Sequence, residues 1–398
     1  MPVSRNIPLL GWFYFWAEFR PYGPIAILYY AEVSGSYALG MSVFSVAMLA
    51  QSFFEVPTGV FSDMIGRKKT VMFGAVAGVF ALSFYAIGGT YLALLIGAIF
   101  EGLGRAFYSG NNEALLYDTV VEMEQRDAFT DLLGKTYSKH EFALAISAVI
   151  GSVIASVSFQ LVMLVSVVPM VLALAVSLRL IEPHAHAYGS TNLYAHLSTA
   201  FRHFIKNARL RTLSIAGILS YALSESSWLF RSAFIATLWP IWAIGISQMI
   251  ANVAAAFSFH FAGRLIRRFD EFRLLVGGRS ISQVINLIAL LISSVLSPAL
   301  MSLDACFYGV NTVAKQNLIQ QEFTDEQRAT MGSLNSFAGS LVFAVFSFLL
   351  GAMADRIGII PALIAAVVLS VVPTMMYWWV LRPRAGERRT IHAPTTNI

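Results

Sequence analysis

Gly59-Val-Phe-Ser-Asp63-Met-Ile-Gly66-Arg67-Lys68-Lys69 joins small, acidic and basic residues in one short run of an otherwise apolar chain. It lies between two apolar runs, roughly 37–60 and 70–90, each about the 20 residues that a helix needs to cross a bilayer core. Its three consecutive basic residues mark a turn on the cytoplasmic side, because Lys and Arg accumulate in short loops that stay inside. The local unit is therefore a pair of membrane-crossing helices joined by a short charged turn.

Working outward, the same test predicts crossings at roughly 8–32, 37–60, 70–90, 93–118, 138–157 and 160–181, and again at roughly 211–236, 240–262, 274–296, 298–320, 331–352 and 358–381. The expected fold is an all-α membrane protein with 12 transmembrane helices in two pseudo-symmetric six-helix bundles, 1–181 and 211–398, the second ending in a short tail. Composition agrees: 57% of the 398 residues are hydrophobic and 12% charged, about half the charged share of a soluble domain, and the mean hydropathy is +0.68. Globular cores could not hide that much apolar surface, whereas helices solvated by lipid require it.

The formal net charge of +5 does not point to nucleic acid, because the basic residues fall in clusters between apolar runs. Arg67, Lys68, Lys69, Arg126, Lys135, Lys139, Arg264, Arg267, Arg268, Arg273, Arg328 and the tail arginines occupy one side; the opposite turns offer only Arg356. This bias predicts a multi-pass protein of the cytoplasmic (inner) membrane with both termini inside. MPVSRN leads into a long apolar run without a small-residue cleavage site, so it reads as a retained first helix. Cys306 is the sole cysteine, which excludes an intrachain disulfide and a thiolate metal cluster. Segment 182–210, with Tyr194, Leu197, Phe201, Phe204 and Ile205 at helical spacing beside Arg202, Lys206 and Arg209, reads as an amphipathic helix on the cytoplasmic membrane face. It serves as a linker between the bundles or as a partner site.

Charges at membrane depth cost roughly 2.5 to 3.5 kcal/mol each even on the lenient insertion scale. Glu18 and Arg20 lie in helix 1, Glu101 and Arg105 in helix 4, Glu225 and Arg231 in helix 7, and Asp304 and Lys315 in helix 10. These are the first helices of four three-helix groups, which predicts that they line one aqueous cavity. Glu101 and Arg105, spaced i, i+4, share a helix face and can pair; the pair serves as a structural bolt, or as an anion holder next to a proton-exchanging acid. Pro21, Gly23 and Pro24 break helix 1 in mid-membrane, a defect tolerated only against protein or water. Glu18 is the first candidate for a coupling proton site and Glu225 the second, with Glu101 and Asp304 behind them. Asn111, Asn112, Glu113, Asn311, Gln316 and Asn317 can hydrogen-bond a ligand or glue helices together. Tyr29, Tyr30, Tyr108, Trp228 and Phe230 can pack, or stack on an apolar or cationic solute.

The quoted stretch resembles the signature loop between helices 2 and 3 of the major facilitator superfamily: glycines at both ends, a central Asp and a basic triplet stand at the family spacing. Glu55-Val-Pro57-Thr before it is also familiar from bacterial members, and helix number, topology and the central linker agree over the whole chain. The resemblance implies alternating access, in which two halves rock about a central site. It also implies a latch made of Gly59, Asp63, Gly66 and Arg67, in which Asp63 meets the start of helix 11 and Arg67 pairs with an acid ending helix 4, for which Asp118 fits. Gly263-Arg264 with Arg267 and Arg268 is similar to a degenerate copy. Two departures stand out: helix 5 lacks the Gly-Pro motif of many drug antiporters, and Arg105 precedes Gly110 by five residues where proton-coupled exporters often have four.

No His-Glu-x-x-His, nucleophile elbow or Gly-rich phosphate loop is present, so neither an enzyme nor an ATP-driven pump is expected. The expectation is a secondary transporter, without cofactor or metal, acting as a monomer and exporting a small amphipathic or cationic compound against protons. The alternatives are a symporter or facilitator of an organic anion or metabolite, held by Arg20, Arg105, Arg231 and Lys315, and a non-transporting sensor of the same fold.

Overall fold

A computed structural model describes residues 3–184, 207–320 and 325–382, apart from the side chains of 319, 320, 325–331 and 333. The first six crossings are α1 (Asn6–Glu18, resuming as Ala26–Ser34), α2 (Tyr37–Ile65), α3 (Arg67–Ile87), α4 (Tyr91–Tyr108, resuming as Asn111–Glu122), α5 (Phe129–Ala155) and α6 (Phe159–Ser177). The second six are α7 (Ala208–Ile235), α8 (Ile241–Phe269), α9 (Glu271–Ile292), α10 (Ser297–Leu303, resuming as Tyr308–Gln320), α11 (Asp325–Ile357) and α12 (Ile359–Leu369, resuming as Val371–Leu381). Among the described residues there is no strand. The amphipathic helix expected within 182–210 lies outside the described residues.

Helix starts are set locally. The side chains of Ser36, Thr90, Ser158 and Asn207 accept from the backbone N–H of Leu39, Ala93, Leu161 and Leu210 at 3.1 to 3.3 Å, satisfying donors that the first helical turn leaves free. α2, α5, α8 and α11 run beyond the predicted crossings at the end bearing the basic clusters, reaching Ile65, Phe129, Phe269 and Asp325. Hydropathy marks the hydrocarbon slab, and a helix continues past it as far as its own hydrogen bonds and caps allow.

Three interruptions fall in helices predicted to line the cavity. α1 opens at Phe19 to Tyr22, where Pro21 lacks the N–H that the ladder needs. α4 breaks at Gly110, whose φ of +68° suits glycine, and α10 tightens into a 3₁₀ turn over Asp304–Phe307. Gly151 of α5 lies so close to the Pro21 carbonyl group that no Cβ fits there.

Packing shows which way the molecule opens. One apolar core, from Leu10 and Phe13 to Leu180, belongs to the first bundle, and another, around Leu213, Leu275, Leu318 and Tyr377, belongs to the second. A third joins them: Ile27 and Met41 pack with Phe230, Phe234, Leu350 and Leu363 at the end away from the basic clusters. At that far end the Asp355 carboxylate accepts from the N–H of Tyr37 and Ala38 at 2.8 and 2.9 Å, and Gly351 and Gly245 let α11 and α8 approach the backbones of α2 and α5. Ser45 and Ser347, then Ser52 and Ser340, continue the α2–α11 seam inward at 2.7 Å each. The bundles are thus bolted together at the far end.

Candidate functional site: a charged cavity between the bundles

A cavity of about 180 Å³ lies between the two bundles. Arg20 and Tyr22 reach it from the α1 break, Glu101 and Arg105 from α4, Glu225, Trp228 and Arg231 from α7, and Gln248 from α8. Three of the four expected helices therefore meet there with their charges, and Asp304 of α10 reaches it through Arg231.

Each arginine already holds a carboxylate. Arg20 pairs with Glu18 at 2.9 Å and also donates through Nε to the Ala17 carbonyl at 3.3 Å. Arg105 pairs with Glu101 at 2.5 Å, and Glu101 accepts further from the hydroxyls of Tyr22 at 3.2 Å and Tyr85 at 2.7 Å. Arg231 faces Asp304 at 3.5 Å, donates to the Met301 carbonyl at 2.8 Å and to Asn286 at 3.3 Å, and lies 5.1 Å from the Trp228 ring centroid. Asn286 closes this group by donating to Asp304 at 2.9 Å. Among the described residues Glu225 makes no ion pair or hydrogen bond; Arg105 of the opposite bundle is the cation whose field reaches it. Three pairs cancel and one carboxylate is left, so the lining with its partners carries one net negative charge at membrane depth.

The other residues singled out in the sequence lie elsewhere. Tyr29 is buried and donates to the Tyr85 carbonyl at 2.7 Å, Tyr108 lines a smaller cavity inside the first bundle, and Asn112 is buried in that bundle. Asn311 packs on Gly278 inside the second bundle, and Lys315 follows one turn later. The structure does not bring these five to the central cavity. Tyr22, Tyr85 and Asn286 are not among the residues the sequence singles out, although Tyr22 lies between Pro21 and Gly23 in the helix 1 break and Asn286 is an amide amid apolar residues, itself a signal at membrane depth.

At the basic end Gly66, with φ +98°, separates α2 from α3. Arg67 reaches Asp118 at 3.7 Å, Asp63 at 3.4 Å and Ser62 at 3.0 Å. Space around Gly59 is open. Asp63 is exposed and paired with Arg67 of its own bundle, and the side chains at the start of α11, its expected neighbour, lie outside the described residues. Glu182, just after α6, accepts from the N–H of Arg67 and Lys68 at 2.6 and 2.8 Å, placing a carboxylate on the positive end of α3. At the far end Gly351-x-x-x-Asp355-x-Ile-Gly358 repeats the spacing of Gly59-x-x-x-Asp63-x-Ile-Gly66, a signal for the Asp355 cap that a search for internal repeats would have found.

The family model described as Major Facilitator Superfamily matches residues 9–345. The fold is similar to that of a bacterial homologue of the human lysosomal transporter Spinster, in an inward-facing and unoccupied conformation, with a TM-score of 0.75 at 15% identity over 96% of this chain and 98% of that one. It is also similar to the nucleoside transporter NupG, with a TM-score of 0.79 at 13% identity over 96% and 100% of the two chains. A Na(+), Li(+), K(+)/H(+) antiporter of Planococcus maritimus is 27% identical over 182 residues, 43% of this chain; the chain spans 41% of that relative's length. With a family model matched along most of its length, the chain belongs to the Major Facilitator Superfamily, a family of multi-pass membrane transporters and not of enzymes.

Proposed function

We propose that this transporter exports a small amphipathic or organic cation in exchange for protons, and that Glu225 is the group for which the two compete. The observation that carries this reading is the charge balance of the cavity: Arg20, Arg105 and Arg231 are each matched by a carboxylate, while Glu225 stands alone. A lone carboxylate at membrane depth is costly unless a proton or cation sits on it. Two ligands that cannot share it must alternate, and alternation at a site that faces one side at a time is antiport. Trp228, Tyr22, Phe44 and Phe343 add aromatic and apolar wall around the charge, suited to a cation with apolar substituents. The arginines that an anion would need are occupied, which favours the cationic substrate over the organic anion. The name of the Planococcus maritimus relative, a cation/proton antiporter, points the same way.

Within this reading the basic end faces the cytoplasm of a cell whose inner membrane holds the protein, with both termini inside. Bundles 1–181 and 211–398 rock about the cavity as a monomer, joined by the cytoplasmic linker 182–210. Closure at the far end then corresponds to the state in which an exporter loads. The Gly59 to Arg67 turn with Asp118 and Glu182 is the cytoplasmic latch, and Asp355 on α2 its far-end counterpart.

Proteoliposomes enclosing a pH-sensitive dye test the proposal. A gradient of a lipophilic organic cation should drive counter-movement of protons through the wild type, and Glu225→Gln should abolish it. Proton movement that persists in both Glu225→Gln and Glu18→Gln overturns the assignment, and ligand binding without net flux in the wild type identifies a sensor instead.

A further inference from the structure

We infer that the second bundle holds an anion-binding site of its own, formed by Arg279 of α9 and Lys315 of α10 and separate from the central cavity. Arg279 lies eight residues into α9, a depth of ~12 Å from its basic end at the usual helical rise. Its guanidinium donates to Ser220 Oγ at 2.6 Å and to Thr374 Oγ1 at 3.1 Å, and lies 5.8 Å from the Tyr377 ring centroid. These partners are all neutral. Lys315 makes no ion pair among the described residues, and it lies one helical turn after Asn311, which packs on Gly278, the neighbour of Arg279 in α9.

Asp304 is the acid whose field reaches Arg279, but it is bound to Arg231 and Asn286. Glu225, the half's other acid at membrane depth, faces the central cavity. Glu271, at the first residue of α9, accepts from Asn317 at 3.2 Å. Among the described residues the bundle interior therefore sets Arg231, Arg279 and Lys315 against Asp304, leaving two cations without a counter-charge. Unneutralised charge in such surroundings is expensive, and a buried counter-ion with hydrogen bonds relieves it.

A further group points to a missing ligand. Tyr377 is 1% exposed, yet its hydroxyl has no hydrogen bond, and the nearby Ser220 already accepts from Arg279. An ammonium with no ion pair, a guanidinium held only by neutral hydroxyls and a buried phenol match a single small anion with several lone pairs. That chemistry is supplied by a free inorganic anion entering from the basic end or by a lipid phosphodiester headgroup.

The test uses the full-length protein and reads thermal unfolding. In one arm, delipidated protein in neutral detergent is titrated with chloride and with inorganic phosphate at constant ionic strength against gluconate. In the other, the protein sits in nanodiscs of phosphatidylcholine with or without phosphatidylglycerol. A saturable rise in Tm of about 2 °C or more is expected in at least one arm, and Lys315→Gln should abolish it. A response in the first arm assigns a free anion, and a response in the second alone assigns the headgroup. Arg279→Gln should also abolish the response, while Lys315→Gln, at a half-buried side chain, keeps the test decisive if Arg279→Gln does not fold. No saturable rise in either arm, or an equal rise in Lys315→Gln, overturns the site.

Discussion

Asp355→Ala should tip the equilibrium between the two faces of the transporter. Asp355 stands in the last turn of α11, where the dipole of its own helix disfavours a negative charge, and it crosses to the other bundle to cap α2 through the N–H groups of Tyr37 and Ala38 at 2.8 and 2.9 Å. Hydrogen bonds to a charged acceptor contribute about 1.5 to 3 kcal/mol each when shielded. Asp355 is solvent-exposed, so screening leaves about 1 to 2 kcal/mol for the two together. The cap exists only while the far end is closed, so its loss should lower the ratio of far-end-closed to far-end-open molecules by roughly 5- to 30-fold. Spin labels on the exposed positions Val60 of α2 and Phe257 of α8, with Cys306 replaced by Ser, would report the distance distribution at the basic end by pulsed electron resonance. The expected result is a shift toward the shorter distance, with Asp355→Asn intermediate because it retains one acceptor oxygen. An unchanged distribution in Asp355→Ala would refute the idea that this cap holds the halves together.

Other consequences are open to measurement. Asp304→Asn leaves Arg231 half-buried beside a neutral amide and should lower stability by about 3 kcal/mol, seen as a fall in Tm that Arg231→Met in the same protein largely restores. Gly151→Val places a side chain where the Pro21 carbonyl group stands, so it should reduce both Tm and transport; equal transport by the two proteins would show that the α1 break does not need this contact. Glu182→Ala removes the carboxylate from the start of α3 and should cost about 1 kcal/mol, with faster hydrogen exchange at Arg67 and Lys68 as the readout.

The sequence alone determined the membrane class, the number of crossings and the side on which the basic turns gather, because these follow from apolar length and from residues adjacent in the chain. It also showed the α1 break, which Pro21 imposes locally, whereas the pairing of Arg67 with Asp118 was implied only by the resemblance of the signature loop to its family. Charge at membrane depth was legible as well: Glu18, Arg20, Glu101, Arg105, Glu225, Arg231 and Asp304 could all be named from position. Of their pairings, only that of Glu101 with Arg105, at i, i+4, was legible. The packed bundle was needed to show that Arg231 is spent on Asp304 while Glu225 is left open, because an ion pair between α7 and α10 depends on helix rotation and register that no local pattern encodes. The same holds for Lys315 and Asn311, which share the depth of the cavity residues but face α9, and for Asp355, whose partner lies at the opposite end of the chain. Depth in the bilayer is a property of a segment, and the direction a side chain faces is a property of the packed bundle.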